Sequence, residues 1–154
     1  MPTPGQLRIV AAGVVAATCS GLPSTVHAVL TGRDALAATR AAGTLLPGRQ
    51  PNALAGLAVH LAVSASWTAV LATIDHRHRL GVRGGAAAGA LIAALDLEVL
   101  GRDYPAIRAL PRWPQWLDHV AFGAIVGALL PGPGRTAHVS GVRDLPYRQE
   151  PSLS

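Results

Sequence analysis

The sequence predicts an all-α integral membrane protein: a polytopic four-helix bundle with a short interfacial helix after the first span. Composition gives the first indication, because half of the 154 residues are hydrophobic and only 14% are charged. Soluble domains carry about 25% charged residues. Four segments are also long and apolar enough to cross a bilayer, which takes about 20 residues.

The four predicted spans are separated by segments rich in proline, glycine and arginine. They cover residues 7–30, 53–74, 84–100 and 114–130. Pro23 interrupts the first span and should kink it or end its regular part near Leu22. Asn52 is placed to cap the second span, and Pro131 closes the fourth.

A shorter helix is predicted between the first two spans, at about residues 35–46, with Asp34 as its N-cap. This stretch is too short and too polar to cross a bilayer, so it should lie along the membrane surface or dip into it. These elements together form one transmembrane domain over residues 1–131. Residues 132–154 are rich in Gly, Pro, Ser and Arg and are predicted to be a disordered tail.

Small residues recur four positions apart in every predicted span, for example Gly85 and Gly89 in the third and Gly123 and Gly127 in the fourth. Such spacing lets helix backbones approach closely, which favours packing in lipid.

A weak internal repeat accompanies the spans. Gly32-Arg33-Asp34 follows the first span and Gly101-Arg102-Asp103 follows the third. This similarity suggests one helix–loop–helix unit used twice, with a pseudo-axis along the membrane normal. Coincidence in a biased composition is the alternative.

The charge pattern indicates lipid contact rather than nucleic-acid binding. All thirteen basic residues are arginines, spread over the loops and the tail without a basic face. Flanking charge on membrane helices explains this distribution. In a plasma-membrane protein, the side of the membrane that carries more arginine is expected to be cytoplasmic. The side with the termini carries seven arginines and the other side carries six, so cytoplasmic termini are favoured by only one charge. The expected partners are membrane lipid and either a second copy of the chain or a larger membrane complex.

Titratable residues gather where the first and third spans end and the second and fourth begin. At 1.5 Å per residue, His27, Asp96 and His119 would lie roughly 6–8 Å inside their helix ends, with His60 deeper. An ionised carboxylate there is costly unless it is paired. The predicted polar cluster or binding site comprises His27, His60, Asp96, Glu98, Asp118, His119, Arg33 and Arg102.

Several pairings are open within this cluster. Glu98 should point to a different side of its helix from Asp96. The candidate partners of Asp96 are His119, His60 and Arg102. Asp118 could cap the fourth span, or its partners could be Arg108 and Arg112.

These residues are compatible with a proton relay, a metal site or a pocket for an anionic group. They are also compatible with a structural role, as buried bonds worth about 0.6–2 kcal/mol each. No H-E-x-x-H motif, convincing Ser–His–Asp order, phosphate-binding glycine loop or dinucleotide fingerprint is present, and Cys19 is the only cysteine.

We therefore expect a non-enzymatic accessory or assembly component of the membrane, with no assigned catalytic residue, metal ligand or cofactor. The first alternative is a small carrier or a proton- or ion-coupled binder that uses the His–carboxylate cluster. The second is a metal-dependent membrane enzyme.

On the opposite face, residues 75–79 read Asp-His-Arg-His-Arg. Such an alternating run in a short loop is typical of a solvated hairpin that contacts anionic headgroups. Metal binding by His76 and His78 is the alternative.

Three stretches resemble a group of small, uncharacterised actinobacterial membrane proteins. They are residues 32–43, 105–111 and 118–123. The resemblance covers most of the chain except the tail. It implies a four-span architecture and no known activity.

Overall fold

The computed structural model describes residues 1–48, 50–130 and 132. Within these residues the chain is helical and contains no strand. The helices are α1 (Pro4–Cys19), α2 (Leu22–Leu30), α3 (Ala37–Ala42), α4 (Ala53–Arg77), α5 (Gly81–Ala93), α6 (Pro105–Arg108) and α7 (Arg112–Leu129). Short 3-10 turns follow α3 and precede α6, at Gly43–Leu45 and Gly101–Asp103, and a π-helical segment, Ala94–Leu100, continues α5. Of the predicted tail, 132–154, all but Gly132 lies outside the described residues.

Three helical stretches are long and apolar enough to cross a membrane. They are Pro4–Leu30, Ala53–Arg77 and Gly81–Asp103. The predictions of an all-helical fold and of membrane-spanning helices are therefore confirmed. The fourth predicted span coincides with α7, whose first half carries Arg112, Gln115 and Asp118 and is less apolar.

The first of these stretches is broken where the sequence places Pro23. Thr3 caps α1, since its side chain accepts from the Gln6 N–H while the Gln6 side chain accepts from the Thr3 N–H. The helix ends at Cys19, and α2 starts at Leu22 with Pro23 in its first turn. Proline has no N–H to donate and is tolerated only at a helix start, so the break predicted near Leu22 is confirmed.

The bundle buries small side chains and exposes large apolar ones. Ala12, Ala16 and Ala93 are fully buried, whereas Val10 and Leu91 are among many large apolar side chains that point outward. A soluble protein rarely exposes a large contiguous apolar surface. Lipid tails are a suitable environment for this surface, and the small interior residues allow close helix contact.

Helices α5 and α7 form the most extensive contact in the bundle. A Cβ atom added to Gly85 would overlap the carbonyl oxygen of Gly123, and one added to Gly89 would overlap that of His119. The predicted approach through Gly85, Gly89 and Gly123 is therefore confirmed. It fixes the start of α7 beside the segment that follows α5.

The short helix predicted after the first span is shorter than expected. In place of residues 35–46, α3 covers six residues and ends in a 3-10 turn. Asp34 does not cap α3; its Oδ1 accepts from the Leu36 N–H at 2.9 Å and closes the preceding turn. The segment is held against α4, where the Thr39 carbonyl leaves no room for a Cβ on Gly56. Asn52 caps α4 as predicted, since its Oδ1 accepts from Ala55 N–H at 2.9 Å.

The prediction of a solvated hairpin at residues 75–79 is wrong for its first residue. Helix α4 continues to Arg77, and Asp75 is only 2% exposed. Its Oδ1 accepts from the Leu80 N–H at 2.8 Å and its Oδ2 from the Gly132 N–H at 2.9 Å. The backbone donors at the start of α5 and beyond α7 explain the burial, because they replace the water that the carboxylate loses. His76 and His78 are exposed.

Candidate functional site

A cavity of about 490 Å³, here called the inner cavity, lies inside the bundle. It is bounded by the α1–α2 break, the first half of α4, the π-helical segment and the first half of α7, and residues of α3 and α6 also line it. Its polar lining includes His60, Ser64, Trp67, Asp96, Gln115, Asp118 and His119, together with hydroxyl residues at the α1–α2 break and on α3. Small-molecule sites commonly have volumes of about 300–1,000 Å³.

Asp96 is the centre of the polar wall. Its Oδ2 accepts a hydrogen bond from the indole Nε1 of Trp67 at 3.2 Å and lies 3.5 Å from Nε2 of His119. Both titratable side chains are partly buried, at 18% and 23% exposure. Of the predicted partners of Asp96, His119 is the one the structure places beside it.

The hydrogen bonding of His119 restricts where protons can sit. Its Nδ1 is 2.8 Å from the backbone oxygen of Gln115, which can only accept, so Nδ1 carries a hydrogen. In a neutral imidazole, Nε2 would then present a lone pair to the Asp96 carboxylate. A favourable contact therefore requires one proton between the two groups, either on Nε2 or on the carboxyl.

The backbone around Asp96 departs from a regular α-helix. Residues Ala94–Leu100 form a π-helical turn, which ends with the Gly101 N–H bonded to the Asp96 carbonyl. Such turns occur frequently at functional sites, where the extra residue changes the direction of a side chain. Here it places Asp96 on the cavity while Glu98 points elsewhere, as the sequence predicted.

Asp118 also lines the cavity but has a structural partner. Its Oδ1 accepts from the Ser24 backbone N–H at 3.0 Å. The break at Pro23 leaves the first turn of α2 without intrahelical acceptors, and a carboxylate from α7 satisfies one donor there. The predicted partners of Asp118, Arg108 and Arg112, and its predicted role as the cap of the fourth span, are therefore wrong.

His60 occupies the other side of the break. Its Nε2 lies 2.9 Å from the Ala17 carbonyl oxygen. That oxygen belongs to the last turn of α1, where carbonyls have no intrahelical donor. His60 thus links α4 to α1 instead of pairing with Asp96.

A second cavity of about 370 Å³, the outer cavity, lies beyond α3 and α6. It is lined by His27, Arg33, Asp34 and Arg40, and Arg40 forms an ion pair with Asp34. The two cavities share walls at Ser24, Ala35, Ala38, Leu110 and Gln115.

His27 packs its ring edge-to-face on Trp113, with the centroids 4.8 Å apart. Although it was expected at the depth of Asp96 and His119, it lines the outer cavity with Arg33.

The last two predicted site residues line neither cavity. Glu98 is exposed, and its Oε1 lies 3.3 Å from Nη1 of Arg112 and 3.3 Å from Nε1 of Trp116. Arg102 is exposed beside Asp103, with 3.7 Å between its Nε and the carboxylate. The predicted cluster is therefore divided among an inner cavity, an outer cavity and the surface.

Sequence reasoning missed Trp67, Ser64 and Gln115 as cavity residues. Trp67 had a readable signal, because tryptophan in membrane proteins favours the headgroup region and a mid-span indole N–H needs an acceptor. Ser64 and Gln115 gave no comparable signal. Within the described residues, no group of three His, Cys, Asp or Glu side chains converges to hold a metal ion.

Comparison of the chain with protein-family models, with curated proteins and with solved structures found no match. The resemblance to actinobacterial membrane proteins therefore stays a prediction, and any function has to be argued from the cavities and the residues around them.

Proposed function

We propose that this protein is a four-span plasma-membrane protein that binds a small molecule in the inner cavity, as a proton-coupled binder or carrier. The observation that carries the proposal is the cavity itself, whose apolar walls hold a His–carboxylate pair at Asp96 and His119. The sequence alone favoured a non-enzymatic accessory component, in which such groups only fix helix packing. Interior groups with that role are surrounded by close-packed side chains, whereas Asp96, His60 and His119 border a cavity.

The proposal of a fourth span rests on the packing of α7. This helix has 18 residues, a length of about 27 Å, and packs along α5 and α1. Its polar residues Gln115, Asp118 and His119 line the inner cavity, while Leu117 and Leu129 are exposed. The helix is therefore less apolar than the others because one side of it forms the site. Four spans place both termini on one side, which we propose to be cytoplasmic.

Two short helices support the proposal of an internal repeat. Each Gly-Arg-Asp sequence leads into one of them, α3 or α6, and these two helices contact each other and both line the inner cavity. The glycines differ, since Gly32 has a left-handed backbone and Gly101 does not. The proposed correspondence thus concerns the order of elements rather than the geometry of the turns.

The inner cavity also reaches the outer surface of the bundle. Leu22, Leu57 and Leu61 line the cavity and are 58%, 47% and 50% exposed. Because these exposed side chains belong to the start of α2 and the first half of α4, we infer that the cavity opens through a gap between these two elements. A ligand that dissolves in lipid can enter sideways through this gap.

Two serines on α4 provide a matched test of ligand binding. Ser64 is 7% exposed and lines the cavity, whereas Ser66 is exposed and outside it. We expect Ser64→Leu to reduce the cavity and Ser66→Leu to leave it unchanged. Native mass spectrometry of the full chain, released from detergent, should show a bound small molecule in the wild type and in Ser66→Leu but not in Ser64→Leu.

The accessory-component alternative makes the opposite prediction. If no small mass is retained by the wild type from any membrane extract, and Asp96→Asn mainly lowers the folded yield, the polar wall is structural and the binding proposal fails. The same spectra report whether the protein is a monomer, a homodimer or part of a larger complex.

A further inference from the structure

The charge of the inner cavity points to the class of ligand. Asp96 and Asp118 line it, whereas none of the arginines in the described part of the chain does. Arg33 and Arg40 line the outer cavity instead. An anionic ligand would meet two carboxylates and no fixed positive charge in a medium of low dielectric constant, which is unfavourable.

The two carboxylates differ in the partners that they already have. Asp118 accepts from the Ser24 N–H and caps α2. Asp96 uses Oδ2 for Trp67 and His119, and no hydrogen bond from a described residue reaches its Oδ1. Each carboxylate therefore keeps one oxygen that no described residue reaches by a hydrogen bond, Oδ1 of Asp96 and Oδ2 of Asp118, but it is Asp96 that lies beside a histidine with which it can share a proton.

The rest of the wall suits an apolar body. Trp67 and Phe122 bring aromatic rings to the cavity, and Leu57, Leu61 and Ile92 add aliphatic surface. Aromatic faces attract cations by about 0.5–2 kcal/mol. The gap beside Leu22 opens toward lipid, where amphipathic cations accumulate.

Together these features lead to a proposal that rests on the proposed function and names its substrate class. We propose that the inner cavity binds a hydrophobic organic cation, such as a protonated amine or a quaternary onium ion, with Asp96 as its counter-ion. The Asp96–His119 pair holds one proton before binding. As the cation arrives, that proton leaves to solvent, so the pair becomes a carboxylate and a neutral imidazole and the charge within the cavity is unchanged.

Other charged groups near the pair contribute to its proton balance. On α7 these are Asp118, which also lines the cavity, and Arg112, whose Nη1 donates to the Leu97 carbonyl at 3.0 Å. On α4 the group is His60. Asp118 favours the cation and the proton alike, whereas a protonated His60 would oppose both. The pH dependence of affinity therefore reflects several groups. The number of protons released on binding reports more directly whether the cation replaces the proton of the Asp96–His119 pair.

The test compares two probes of the same shape and opposite charge, tetraphenylphosphonium and tetraphenylborate. The full chain is placed in lipid nanodiscs, and binding is measured by equilibrium dialysis against nanodiscs without protein. Tetraphenylphosphonium should bind saturably, more tightly as pH rises, and should release up to one proton per cation into weakly buffered solution. Tetraphenylborate should bind no more than it does to protein-free nanodiscs.

Variants assign the effect to Asp96. Asp96→Asn should weaken phosphonium binding at least about tenfold, because a unit charge at cavity distances contributes more than one factor of ten in affinity. Asp96→Glu retains the charge and should retain most of the binding, which shows that the site still folds. Asp103→Asn removes the same charge from an exposed position outside the cavity and should leave binding unchanged.

Two results would overturn the inference. One is equal or tighter binding of tetraphenylborate, and the other is equal weakening by Asp96→Asn and Asp103→Asn. Suppose that either result occurs while native mass spectrometry still shows a small molecule bound to the wild type and lost in Ser64→Leu. In that case the proposed binding function stands and only the ligand class is wrong. If neither probe binds and no small mass is retained, both proposals fail.

Discussion

Replacing Asp75 by alanine removes the acceptor for two backbone donors at once, the Leu80 N–H at 2.8 Å and the Gly132 N–H at 2.9 Å. Each hydrogen bond to a charged group contributes about 1.5–3 kcal/mol. Because Asp75 is only 2% exposed, water cannot readily reach the two N–H groups that the substitution leaves without an acceptor. We expect Asp75→Ala to lower the free energy of unfolding by about 3–5 kcal/mol, and Asp75→Asn, which keeps one acceptor oxygen, by about half as much.

The measurement is reversible denaturation of the purified full chain in mixed detergent micelles, followed by circular dichroism. Asp103→Ala is the control, because Asp103 is exposed and pairs only with the exposed Arg102. Its expected effect is below about 0.5 kcal/mol. If Asp75→Ala and Asp103→Ala lower the free energy of unfolding equally, the reasoning is refuted. The two hydrogen bonds that the buried Asp75 carboxylate accepts would then contribute nothing to stability.

Two further predictions concern helix contacts. Asp118→Ala should cost about 1–2 kcal/mol, because the Ser24 N–H loses the acceptor that caps α2; denaturation of the variant measures this loss, and an unchanged midpoint would exclude the capping role. Gly85→Ala should separate α5 from α7, because the new Cβ overlaps the Gly123 carbonyl, whereas a Cβ on neighbouring Gly84 makes ordinary contacts from 3.4 Å. Size-exclusion chromatography should show loss of monodisperse protein for Gly85→Ala and not for Gly84→Ala; equal behaviour would contradict the close approach.

Features set by local sequence were predictable. The break at Pro23 follows from the missing N–H of proline, and the cap at Asn52 follows from side-chain reach to a donor three residues ahead. That Gly85 and Gly123 lie on packing faces could be predicted from spacing, because a regular helix presents small residues at every fourth position on one side, but spacing did not indicate that these two glycines meet. The pairing of Asp96 with His119 was one of several options that helix depth allowed.

Features set by distant parts of the chain were not predictable. The partner of Asp118 is the Ser24 N–H, 94 positions earlier in the chain. This N–H is free for Asp118 only because it lies in the first turn of a helix, where it has no intrahelical acceptor. Asp75 resembled a loop residue until the segments before α5 and after α7 met around it. The π-helical turn at Asp96 depends on packing and has no signal in the sequence. The cavity itself has no sequence signature, because it results from how complete helices are arranged.

The interruption at residues 20–21 divides the first span into two halves with separate anchors. The half formed by α1 is attached to α4, where His60 lies 2.9 Å from the Ala17 carbonyl oxygen, and the half formed by α2 is attached to α7, where Asp118 accepts from the Ser24 N–H. The two halves of this span are therefore held by different helices, so the angle between the halves follows from where α4 and α7 lie. Since both anchors also line the inner cavity, the same two contacts that hold the halves in place also form part of its wall.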